Sequence, residues 1–110
     1  MTRNNEEKIL RRTVAALLAM PGVKGIDVYD GDDEPVLIRV TDVDETVEAC
    51  FAVDMCHLFV RRKDEKTQWV GFIWNNGNDG WDAMYDYTVG LEDTLKPVFQ
   101  WIETMEGTDQ

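Results

Sequence analysis

A histidine beside a cysteine is the first feature of this sequence that could support catalysis. His57 is the only histidine of the chain and stands between Cys56 and Leu58 in an apolar segment. Successive residues of a β-strand point to opposite faces of a sheet, so Cys56 and His57 would not hydrogen-bond as a catalytic dyad. A general acid or base also needs partners within hydrogen-bond reach, and the sequence places none beside His57. We therefore predict a structural histidine and no enzymatic activity.

The segment from Asn75 to Asp86 has the length of an EF-hand calcium loop but lacks its ligands. If Gly80 is the glycine of the loop, Asn75 stands at the first position and Gly77 at the third. A calcium loop has a carboxylate at its first position and an Asp or Asn at its third. The chain also contains no glycine-rich phosphate-binding motif. We predict turn-forming residues here, with no metal and no cofactor.

Aromatic and acidic residues are mixed in the segment WDAMYDY that follows this turn. As a strand it would have two faces, with Trp81, Ala83, Tyr85 and Tyr87 on one and Asp82, Met84 and Asp86 on the other. Each ring taken alone is explained by burial under the last helix. Taken together, aromatic rings beside carboxylates are typical of an interface with a partner that carries Arg or Lys. The predicted partner-binding residues are Asp79, Trp81, Asp82, Tyr85, Asp86 and Tyr87.

The charge of the chain is strongly negative and unevenly distributed. The formal net charge is −11, and the acidic residues concentrate in residues 27–54 and 67–110. Such a surface repels nucleic-acid phosphates and anionic membranes and attracts basic proteins. The run Arg61-Arg62-Lys63 near Trp69 is too small a basic patch to reverse this. We predict a basic protein partner, with no direct nucleic-acid or membrane binding; plain solubility is the alternative explanation of the charge.

The compartment and domain count follow from simpler features. The first residues lack the apolar run of a signal peptide, and Cys50 and Cys56 match no redox or zinc motif. We therefore expect a cytoplasmic protein with two reduced, partly buried thiols. The length of 110 residues fits one domain, residues 1–110.

The hydrophobic pattern predicts an α+β fold with element order α-β-β-α-β-β-β-α, in which helices pack on one face of a mostly antiparallel sheet of about five strands. Helices are predicted near residues 5–20 and 93–105, and strands near 23–30, 35–41, 56–62, 67–75 and 82–88. Residues 42–53 fit a strand or a helix, and their acidic start favours a helix with Thr41 and Asp44 as a capping pair. The strands at 56–62 and 67–75 are apolar on both faces, which indicates that they are covered twice, or covered once with an aromatic surface left over.

Three functions remain open. The leading hypothesis is a small non-enzymatic module that covers a basic surface on a partner, in the manner of an immunity protein or of a phage or mobile-element inhibitor. The first alternative is an acidic secretion-type chaperone, which would be a homodimer. The second is a small-molecule binder or enzyme that uses Asp82, Asp86 and His57.

Overall fold

The computed structural model describes residues 2–62, 68–75 and 80–108, which form three helices and a five-stranded antiparallel sheet. The elements are α1 (Thr2–Leu18), β1 (Val23–Asp30), β2 (Pro35–Val40), α2 (Val43–Phe51), β3 (Met55–Arg62), β4 (Gln68–Ile73), β5 (Met84–Tyr87) and α3 (Glu92–Thr108), with a short 3-10 turn at Val89–Leu91. The predicted α+β class and element order are confirmed. The turns predicted at 63–66 and 76–77 lie outside the described residues.

The sheet has one covered face. Its strands lie in the order β2-β1-β3-β4-β5, and each neighbouring pair is antiparallel. In β3, Cys56, Leu58 and Val60 are buried, whereas the residues between them are only half-buried. The buried side chains share one core with apolar residues of all three helices. Of the two arrangements open for the central strands, the structure thus has the one in which helices cover a single face.

The first and last helices pack against each other, α1 also packs against β1, and α3 contacts β5 through Phe99 and Tyr87. The guanidinium carbon of Arg12 in α1 lies 4.0 Å from the ring centroid of Trp101 in α3, a cation–π contact. Both helices are amphipathic, so their apolar stripes face the core. The fully or nearly fully buried apolar residues of these two helices are Ile9, Leu10, Val14, Leu17, Leu95 and Val98.

The ambiguous segment after β2 is a helix, as its acidic start predicted. The N-cap of α2 is Asp42, whose side chain accepts a hydrogen bond from the backbone N–H of Asp44 at 2.8 Å. The predicted capping residue, Thr41, is therefore wrong by one position. A carboxylate at the N-cap binds a free backbone N–H and also suits the positive end of the helix dipole.

Element ends agree with the predicted ones to within three residues, and both ends of β1 are as predicted. The difference that bears on function is in β5, which begins at Met84 rather than at residue 82. In α3 the helix begins at Glu92, and Pro97 lies inside it, within the second turn. There the missing N–H of Pro97 removes a hydrogen bond that the helix would otherwise make.

A buried carboxylate joins α1 to the end of β4. Glu6 is 1% exposed, and its Oε2 accepts a hydrogen bond of 2.6 Å from the backbone N–H of Asn75. Asn75 has a φ of 59°, in the left-handed region that asparagine tolerates better than most residues. The two residues are 69 positions apart. No local sequence pattern could have revealed this contact.

Both cysteines are free and buried. A hydrogen bond with Cys50 and burial together raise the pKa of the Cys56 thiol, so its neutral form is favoured. In the part of the chain that the structure describes, no helix combines the length and apolar character needed to cross a membrane.

Candidate protein-binding surface

One face of the sheet is not covered by any described helix, and we call it the open face. It carries five aromatic side chains that contact one another, which we call the ring cluster: Tyr29, His57, Phe59, Trp69 and Tyr85. Strand register brings them together, because Tyr29 lies opposite His57 and Phe59 lies opposite Trp69. The centroids of Tyr29 and Phe59 are 5.3 Å apart at 75°, and those of His57 and Trp69 are 5.3 Å apart at 81°. Both are edge-to-face contacts, the geometry that aromatic quadrupoles favour.

Tyr85 reaches the ring cluster by crossing over a glycine. A Cβ atom on Gly71 would lie 2.5 Å from Cε1 of Tyr85, closer than carbon atoms can approach. The bare backbone of Gly71 therefore lets the ring lie against β4 and contact His57 on β3, the strand beyond. This is a close approach of side chain to backbone that only glycine permits.

The hydroxyl of Tyr85 and Nε2 of His57 form a hydrogen bond. The other ring nitrogen, Nδ1, is buried and has no partner among the described residues. A buried donor without a partner is rarer in proteins than an unused acceptor lone pair. We therefore assign the proton to Nε2, which donates to the oxygen of Tyr85. That tautomer leaves the hydroxyl proton of Tyr85 available to an acceptor outside the cluster.

Carboxylates border the ring cluster at one end. Partial burial raises the pKa of Tyr85, and the negative charges of Asp86 and, more weakly, Asp33 raise it further. Asp33 belongs to the β1–β2 turn, in which Asp32 and Glu34 are also exposed. The turn is ordered by Asp30, whose Oδ1 accepts hydrogen bonds of 2.9 Å from the backbone N–H groups of Asp32 and Glu34. The acidic turn and Asp86 thus place negative charge beside exposed aromatic surface.

The other end of the face carries an ion pair. Nε of Arg61 lies 2.8 Å from Oδ1 and 2.7 Å from Oδ2 of Asp27, and Oδ1 also accepts from the backbone N–H of Arg39 at 2.9 Å. The Asp27 side chain is 7% exposed, so its charge is directed to these partners and not to solvent. The hydrogen bond from Arg61 to Asp27 raises the pKa of the guanidinium. The exposed negative charge of this face therefore lies at the Tyr85 end.

A groove of about 250 Å³ runs between β5 and α3, at the edge of the sheet. It is lined by Trp81, Met84, Tyr85, Asp86, Tyr87, Phe99, Ile102 and Glu103. The lining is mainly apolar, contains two carboxylates and has no basic residue. We call it the β5 groove.

The predicted division of Trp81 to Tyr87 into an aromatic and an acidic face is wrong. The register of β4 and β5 shifts between Gly71 and Phe72, because Gly71 pairs with Asp86 while Phe72 pairs with Met84. Tyr85 is the extra residue of this bulge, so alternation does not run through the segment. Tyr85 lies on the open face, whereas Tyr87 lies opposite Val70, on the covered face.

The other predicted partner-binding residues are also separated. Trp81 precedes β5, is 6% exposed and packs its ring against Trp101 at 5.8 Å, while Tyr87 packs against Phe99 at 5.2 Å. Trp81 is thus part of the core and Tyr87 is half-buried against it, while both also contribute to the lining of the β5 groove, so their role in partner binding stays a prediction. Asp82 and Asp86 are exposed. Asp79 lies outside the described residues.

The sequence analysis did not identify three of the rings that form the ring cluster on the open face. Tyr29, Phe59 and Trp69 belong to three different strands, so only the strand pairing brings them together. A signal was present in β3, where two of the half-buried residues that alternate with the core, His57 and Phe59, carry aromatic rings. His57 was predicted to be structural, and that stays a prediction; in the structure its ring contacts Trp69 and Tyr85.

Neither a metal site among the described residues nor a similarity to a known protein can be added to this description. Over residues 2–62, 68–75 and 80–108, no group of three His, Cys, Asp or Glu side chains is arranged to hold a metal ion. Comparison of the chain with protein-family models, with curated proteins and with solved structures gives no match.

Proposed function

We propose that this protein is a non-enzymatic binding module that covers a basic surface on another protein. The observation that carries the proposal is the ring cluster on an uncovered sheet face, bordered by the carboxylates of the β1–β2 turn and of Asp86. Half-exposed rings supply apolar contact area at a low entropic cost, and the carboxylates select a partner that carries Lys or Arg.

The charge of the whole chain supports the same proposal. At a net charge of −11, the protein attracts a basic partner from a distance and repels nucleic acid and other acidic proteins. An immunity protein or a phage or mobile-element inhibitor works in this way, by occupying the basic surface that its target would use. The proposal places the encounter in the cytoplasm, where thiols such as Cys50 and Cys56 stay reduced.

The test is affinity capture with two variants and a matched control. Asp32→Lys reverses an exposed charge of the acidic β1–β2 turn, and Tyr29→Ala removes one ring of the cluster. Glu48→Lys makes the same charge change on α2, on the helical side of the molecule. We expect the wild type and Glu48→Lys to retain basic proteins at low ionic strength, and Asp32→Lys and Tyr29→Ala to lose them. Equal capture by all four proteins would overturn the proposal, as would a captured set with no basic member.

The open face also favours a second candidate, the acidic dimeric chaperone. Ile38 in β2 is 44% exposed and Tyr85 is 38% exposed, so the sheet presents apolar area that a second copy could bury. Light scattering coupled to size exclusion separates the two candidates. A dimer whose mass falls to that of a monomer on Tyr29→Ala would support the chaperone, and a monomer at all concentrations would remove it.

A further inference from the structure

We infer that the outer edge of β5 and the β5 groove receive an extended peptide segment in which apolar residues alternate with Lys or Arg. The segment would add a sixth strand to the sheet beside β5. The inference deepens the proposed function by naming a recognition mode for the partner, and it rests on that function only for the basic character of the partner.

The sheet edge at β5 is open to pairing. Strand order makes β5 an edge strand whose one strand neighbour among the described residues is β4. An edge strand presents N–H and C=O groups that can pair with another chain. In β5 the backbone N–H of Tyr87 already donates to Oδ1 of Asp86 at 2.8 Å, so an added strand would pair with the other groups of this edge or replace that bond. The opposite edge, β2, begins at Pro35, carries Arg39 at a φ of 54° and has two register shifts against β1. Proline, bulges and basic residues obstruct strand addition; β5 (MYDY) contains neither proline nor a basic residue and has one register shift, against β4, where β2 has two.

The groove beside this edge fits a side chain better than a free ligand. Its volume of about 250 Å³ lies below the range of roughly 300–1,000 Å³ for sites that enclose drug-sized molecules. Met84, Phe99 and Ile102 give it an apolar lining. A strand added to β5 would direct every second side chain toward this lining, on the covered side of the sheet. The apolar residues of the segment belong at those positions.

The carboxylates near β5 indicate that the other residues of the bound segment would be Lys or Arg. Asp86 and Glu103 are exposed at the groove, and no lining residue is basic. Asp86 lies opposite Gly71 on the open face, and Oδ1 of its carboxylate accepts a hydrogen bond from the backbone N–H of Tyr87, so a residue of the added strand on the open side of the sheet would approach a carboxylate held beside β5. Four residues of β5 span about 13 Å and place two side chains on each face. The recognised pattern is therefore two apolar and two basic residues in alternation.

The probe is a fluorescein-labelled heptapeptide of sequence Lys-Val-Lys-Leu-Lys-Val-Lys, titrated against the protein by fluorescence anisotropy. The matched control peptide has the same sequence with alternate backbone amides N-methylated, which removes strand donors without changing charge. We expect the methylated peptide to bind about tenfold more weakly, as the loss of one or two backbone hydrogen bonds predicts. Chemical-shift changes should map to residues 84–87 and to α3.

Two protein variants separate site binding from general attraction. Glu103→Lys reverses a charge at the groove, and Glu48→Lys reverses one on α2. We expect at least about threefold weaker binding for Glu103→Lys and almost no change for Glu48→Lys, since general attraction would weaken both equally. Equal binding of the two peptides, or equal effects of the two variants, would overturn the inference. A failure of this inference can be distinguished from a failure of the proposed function, because the test of the proposed function uses variants of Asp32 and Tyr29 and a folded partner.

Discussion

The contact between Tyr85 and the backbone of Gly71 gives the sharpest test of the site geometry. In Gly71→Ala the new methyl group would lie 2.5 Å from Cε1, 2.8 Å from Cζ and 2.9 Å from the hydroxyl oxygen of Tyr85. The ring has to move away from β4, so it loses its hydrogen bond to His57 and its edge-to-face contact with that imidazole. Gly71 has no positive φ, so alanine adds no backbone strain at this position.

The expected loss is the sum of two contacts less one gain. A hydrogen bond contributes about 0.5–1.5 kcal/mol, and an aromatic contact contributes a similar amount. Replacing glycine by alanine also restricts the unfolded chain, which offsets about 0.4–1 kcal/mol of that loss. We therefore expect Gly71→Ala to lower the free energy of unfolding by about 1–2 kcal/mol, or roughly 4–16 °C in Tm for a domain of this size.

Urea denaturation followed by tryptophan fluorescence measures this change. The matched control is Gly31→Ala, whose added Cβ would meet its nearest atom, Sδ of Met55, at 3.4 Å, an ordinary contact. It should leave the stability within about 0.5 kcal/mol of the wild type. In a Tyr85→Ala background the clash is absent, so Gly71→Ala should become neutral or stabilising. An equal loss in both backgrounds would refute the close approach.

Two further predictions concern the buried ring of Trp81 and the hydroxyl of Tyr85. Trp81→Ala should lower the free energy of unfolding by about 3–5 kcal/mol, because the ring is 6% exposed. The control is Val89→Ala, at a residue that is 84% exposed, which should change the free energy of unfolding by less than about 0.5 kcal/mol. Urea titration measures both, and a small effect of Trp81→Ala would contradict the buried position of its ring. Because the pKa of Tyr85 is raised above 10.0 in the folded state, the native protein holds that proton longer, so the related stability is present below pH 10 and is lost at higher pH. Urea titrations from neutral to alkaline pH should therefore show the wild type losing more stability than Tyr85→Phe, and parallel curves would contradict the shift.

The sequence was sufficient for those parts of the fold that depend on local periodicity. The apolar stripes of α1 and α3 predict which side of each helix is buried, and the structure agrees. The strand β3 is apolar on both faces in the sequence, and its alternation of buried and half-buried residues comes from the structure alone. The acidic residues after Thr41 predicted α2 correctly, although the capping residue itself is Asp42. Periodicity shows which side of a single element is buried, and for these helices that information is enough to predict how they lie against the core.

The candidate surface depended on relations between elements, which periodicity does not contain. One extra residue in β5 moves Tyr85 to the open face and leaves Tyr87 under α3, and nothing in the segment WDAMYDY marks that bulge. The role of Gly71 is equally hidden, because its sequence neighbours Val70 and Phe72 show only a strand. The need for glycine at this position becomes clear only when the ring of Tyr85 is seen to lie against its backbone.

The packing of α1 against α3 has a consequence for how the chain folds as it is made. Synthesis proceeds from the N-terminus, so α1 is complete long before α3, and its Glu6 is also made well before Asn75. Until both arrive, the apolar stripe of α1 is only partly covered, and such exposed surface is what holding chaperones bind. Nascent chains arrested before residue 92 should therefore remain sensitive to protease, and protection should rise sharply once α3 has left the ribosome.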